Sequence, residues 1–204
     1  MLRLRLLEAS LVAAVVSFSA SSGYADEFSA KLSGFNEIGS ISATGYTGAV
    51  LSDGRGTVEL DLDEAAGTIA YKLTYSDVGT RPPKTGTVLF AHIHLGKSRD
   101  SGGVLVFFCT NVLPFTGTGP TPPLCPKNSG TVSGMWTAAN VQAIAGQNVV
   151  AGVFDTLVDA LESNTAYANV HTTSGTTPEN AFPGGEIRGQ CRSEDREHRD
   201  NRKD

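Results

Sequence analysis

The chain has 204 residues, with 21 acidic and 16 basic side chains and a net charge of −5. That length suits one domain with a core of its own. No basic stripe is present, so nucleic acid is not an expected partner, and no Walker loop, G-x-S-x-G elbow, H-E-x-x-H helix or zinc-finger cysteine spacing occurs, which disfavours the common nucleotide-binding and hydrolase classes.

The first 25 residues read as an export signal. "MLRLR" carries Arg3 and Arg5, residues 11–18 are apolar, and "SSGYA" places the small residues Gly23 and Ala25 before a cut. The apolar run is too short to span a bilayer. The expectation is a periplasmic or secreted protein with no transmembrane anchor after cleavage. Residues 26–191 then form one domain.

That domain reads as all-β. Its 23 glycines are spread throughout, and period-two patterns recur. In "TVELDLD" (57–63), Val58, Leu60 and Leu62 share one face while Glu59, Asp61 and Asp63 share the other. "DEAAG" (63–67) turns this strand into "TIAYKLTY" (68–75), a hairpin. Other expected strands are 28–34, 47–52, 87–95, 103–109, 131–137, 166–172 and 185–191. Short strands separated by glycine-marked turns predict an antiparallel β-sandwich or barrel. Two short helices are expected, over 137–145 with Thr137 as N-cap and over 155–163 with Asp155 as N-cap. Residues 192–204 hold five acidic and five basic residues and nothing apolar. They predict a disordered tail, and His198 within it a solvated histidine.

Three cysteines fall after the signal. In an exported chain they are expected to pair. Cys109 and Cys125 flank a Gly/Pro/Thr-rich loop and are the expected disulfide. Cys191 is left over, either as a buried thiol or for an intermolecular bridge.

The segments "KLSGFNEIGS", "LTYSDVG", "AHIHLG", "VFFCTN…LCP", "YANVHT" and "FPGGEIRGQ" together resemble a CHRD domain, the module named after chordin and found singly in exported bacterial proteins. The resemblance runs from about residue 27 to 191. It implies an immunoglobulin-like, Greek-key β-sandwich with the H-x-H and G-E-I-R-G strands in its framework. It implies little about activity beyond an extracytoplasmic module that binds a protein partner.

The chemistry concentrates in "LFAHIHLG" (89–96). On a strand, residues two apart share a face, so Phe90, His92 and His94 point one way and Leu89, Ala91, Ile93 and Leu95 the other. Later, Tyr167, Asn169 and His171 share a face, as do Glu186, Arg188 and Gln190. A hairpin of these two strands would bring His171 towards Glu186. His92, His94, His171 and Glu186 are therefore candidate ligands for a copper or zinc ion, since imidazoles with an optional carboxylate suit both. The alternative is a buried polar network, with Arg188 and Asn169 among its members, that only stabilises the fold. A third reading is a copper redox enzyme resembling superoxide dismutase, although its fourth histidine is lacking. No serine or cysteine nucleophile sits in a recognisable setting, so an enzyme is the less favoured class. Asp53, Asp61, Asp63 and Glu64 lack the spacing of a calcium loop and read as a solvated face. The loops 110–128 and 173–184 are the expected contact surface for a partner.

Overall fold

The computed structural model describes residues 26–38, 48–173 and 182–194. The expected signal segment, most of the charged tail with His198, and residues 174–181 of the second long loop lie outside the described residues.

Among the described residues, nine strands form one antiparallel sheet. They are β1 (Asp26–Ser33), β2 (Arg55–Asp63), β3 (Thr68–Ser76), β4 (Thr87–Leu95), β5 (Val104–Thr110), β6 (Gly130–Trp136), β7 (Ala166–Thr173), β8 (Phe182–Gln190) and the short β9 (Arg192–Ser193). The spatial order is β5-β4-β7-β8-β1-β2-β3-β6, with β9 on β1. The all-β antiparallel architecture is as expected. Its layers belong to one sheet that curls until it is nearly closed into a barrel.

The β2–β3 hairpin shows how the pattern becomes a wall. Val58 pairs with Leu73, Leu60 with Tyr71 and Leu62 with Ile69, and all six are buried. Glu59, Asp61 and Asp63 stay in solvent, and Gly67 supplies the positive φ that the turn needs. The seam between the end strands β5 and β6 has no backbone ladder among the described residues. Side chains close it: Trp136 Nε1 donates to the Phe107 carbonyl at 2.8 Å and the Tyr71 hydroxyl to the Phe108 carbonyl at 3.1 Å. The Tyr71 and Trp136 rings stack 4.4 Å apart behind those bonds.

The cysteines behave as expected where pairing is concerned. Cys109 and Cys125 form a disulfide. Cys191 is a free, fully buried thiol, and burial pushes its pKa up to about 12.

Three local expectations need correction. Residues 48–52 are not a strand. Val50 N bonds to the Gly34 carbonyl at 2.7 Å and the Ser52 hydroxyl accepts from Gly54 N at 2.8 Å, so the segment is spent on a turn. The helix expected over 137–145 is two 3-10 turns, at Ala138–Asn140 and Ala145–Gln147. Gln142 N is drawn away to the Leu105 carbonyl at 2.8 Å, and this tertiary bond overrides helix propensity. The second helix, α1, runs Phe154–Glu162 and buries Leu157, Ala160 and Leu161. Its N-cap is Val153, with Asp155 inside the first turn, where a carboxylate suits the helix dipole. Among the described residues no helix is long and apolar enough to cross a membrane.

Candidate metal centre

The register of β4 against β7 builds the site. Phe90 pairs with His171, His92 with Asn169 and His94 with Tyr167. Alternation then puts all six side chains on one face, while Ala91, Ile93, Ala168 and Val170 face the core at 0 % exposure. This outer face is not solvated. The turn 97–102, Glu37 and the aromatic rings of Phe90 and Phe107 cover it, so His92, His94 and His171 are buried.

The three rings converge. Centroids lie 5.0 Å apart for His92–His94, 4.8 Å for His92–His171 and 5.8 Å for His94–His171. One ring nitrogen from each lies within 4.8 Å of the others. His94 Nδ1 sits 2.9 Å from the Gly102 carbonyl and donates to it. That bond fixes the tautomer, so His94 Nε2 keeps its lone pair. His92 Nδ1 donates to this lone pair at 3.1 Å. Two imidazoles on one tetrahedral zinc would hold their nitrogens about 3.3 Å apart, close to this separation. The carbonyl partner of His94 is the orienting contact that a metal-bound histidine usually has.

Burial favours the neutral form of His92 and His94. Burial holds the His92 pKa well below 6.5, helped by the charges that His171 and His94 could carry. Burial also lowers His94, to about 4, with the Gly102 bond opposing and the Arg188 charge assisting. Neutral imidazole is the form that coordinates a metal.

Glu186 lies apart from this cluster. Its Oε1 accepts from Ser52 Oγ at 2.7 Å and Gly79 N at 2.8 Å, and its Oε2 accepts from Thr172 Oγ1 at 2.8 Å. The cause is a break in register. Val170 pairs with Ile187 but Thr172 with Phe182, so His171 alone faces residues 183–186. Alternation fails across that bulge, and Glu186 turns away with Thr172 rather than staying with His171. It ties β8 to two turns.

Arg188 and Asn169 do stay on the site face. Arg188 lies 3.4 Å above the Tyr167 ring and donates through Nη2 to the Lys97 and Asp100 carbonyls at 2.8 and 2.9 Å. His94 stacks on Tyr167 from the strand on the other side of β7, with ring centres 4.8 Å apart and planes at 1°. Asn169 Nδ2 donates to Glu37 Oε2 at 2.6 Å. Glu37, 3 % exposed, is the buried carboxylate of this face, a place that alternation alone assigns to Glu186. Its one signal in the sequence is the N-E pair within "KLSGFNEIGS".

The family model described as CHRD domain matches residues 28–191. No curated protein matches the chain.

Proposed function

The chain belongs to the CHRD domain family, and on that premise we propose an exported binding module whose His92, His94 and His171 take up one copper or zinc ion. The family supports a binding or structural module. The observation that carries the finer reading is the convergence of three buried imidazoles, with one ring nitrogen of each within 4.8 Å of the others. Donors of one kind, with no thiolate among them, suit either metal. Glu186 is outside the proposed set, because its carboxylate oxygens already accept three hydrogen bonds.

A second reading has its own support. The run His92 Nδ1, His94 Nε2, His94 Nδ1, Gly102 carbonyl is hydrogen-bonded as it stands. It would serve as a polar network that specifies the packing of β4 on β7. Elemental mass spectrometry on the purified exported protein, alone and as the His92→Ala/His94→Ala variant, separates the two. About one copper or zinc per chain, lost in the variant, supports the metal site. No metal after adding back both ions, together with a lower Tm in the variant, supports the network.

A further inference from the structure

The cleft between β1, β8, β9 and the turn after β4 has a volume of about 750 Å³. Its wall brings together Lys31, Arg99, Arg188 and Arg192. The whole chain is acidic, at −5, so a local excess of cations is not a matter of composition. The opposing carboxylate in the wall is Glu37, whose oxygens already accept from Asn169 Nδ2 and the Ile38 amide. The anchor is built in. Arg188 is 2 % exposed, its guanidinium held by two carbonyls and the Tyr167 ring, and it reaches the cleft floor. Lys31, Arg99 and Arg192 ring it from three other elements and are exposed. Phe35, 63 % exposed, and Ile38 add an apolar rim.

We propose that this cleft binds a small molecule carrying two or more oxyanions, carboxylate or phosphate, on a short carbon skeleton. A fixed guanidinium recognises a planar or tetrahedral oxyanion through paired donors. The exposed cations Arg99 and Arg192 at the rim then engage the second anionic group. The volume lies within the range of small-molecule sites. The cleft borders the histidine face through Arg188 on Tyr167, Glu37 on Asn169 and the turn 97–102, but none of the three histidines lines it, so the oxyanion site does not require a bound metal.

Isothermal titration of the full exported chain at low ionic strength tests it, with succinate and pyrophosphate as separate probes. The expected result is one saturable site per chain for at least one probe. The probe that binds identifies the oxyanion as carboxylate or phosphate. An Arg99→Glu/Arg192→Glu variant should weaken that binding roughly tenfold, and 0.5 M salt should weaken it too, because exposed charges are screened. Lys72→Glu, on β3 and outside the cleft, should bind as the parent does. These three exposed sites leave the fold intact, which a parental Tm verifies. Absence of saturable binding with both probes would overturn the proposal, and so would undiminished binding in the double variant.

Discussion

His94 shows how one side chain ties the candidate site to stability. Its unfolded-state pKa is the ordinary 6.5 and its folded pKa about 4. Between those values the unfolded chain binds the extra proton, so stability rises with pH across that window. The contribution is complete above about pH 6.5 and lost as pH falls towards 4. For His94 it is on the order of 3 kcal/mol, and His92 acts in the same direction. Thermal melts should therefore show Tm dropping steeply from pH 6.5 to 4.5. His94→Gln should flatten that slope, and a slope unchanged in the variant would assign it to other groups.

At the scale of strands, the bulge in β8 decides which residues meet. Gly185 has φ 119° there, and a Cβ on it would strike the Asn169 carboxamide and the Glu37 carboxylate. Gly185→Ala should destabilise by about 2 kcal/mol in urea titrations, through both the strained φ and the displaced pair. The same bulge marks the limit of what the sequence could reveal. Period-two alternation correctly placed His92 and His94 on one face of β4 and His171 on the same face as Asn169. It also found the β2–β3 hairpin, because a strand with one wet face writes its register in polarity. Alternation carried across residues 183–186 put Glu186 on the wrong side, since nothing in "PGGE" states how many residues the bulge absorbs. Glu37 was hidden for the opposite reason. A lone carboxylate after a strand resembles a surface residue until the covering turn is known. The helix expected at 137–145 gave way to bonds that leave the segment, from Gln142 N to the Leu105 carbonyl and from Ile144 N to the Val149 carbonyl, which no local propensity encodes.

For the molecule as a whole, the disulfide is the covalent constraint that the described residues carry. It links β5 to the far end of a proline-rich loop, with 16 residues of separation. The chain-entropy model gives it about 3 kcal/mol. A Cys109→Ser/Cys125→Ser variant should melt well below the parent while a thiol reagent leaves native Cys191 unmodified, as its burial requires. Rapid labelling of Cys191 in the folded parent would contradict that packing. The seam between β5 and β6 has a different consequence. Along most of the wall, parting two strands breaks a ladder of amides, although β1 and β8 meet at one pair, Ser33 with Arg188. Here what spans the strands is the Trp136 and Tyr71 bonds to the Phe107 and Phe108 carbonyls and the contacts of the Phe108 ring with Tyr71 and Trp136. The Cys109–Cys125 disulfide and the bond from Gln142 N to the Leu105 carbonyl tether β5 to the segments on either side of β6, so this part of the wall is closed by side chains, one covalent link and isolated amides rather than by a ladder. Loosening that seam would bare the core-side rings of Phe108, Tyr71 and Trp136, while the histidines, on the outer face with Phe107, would stay covered.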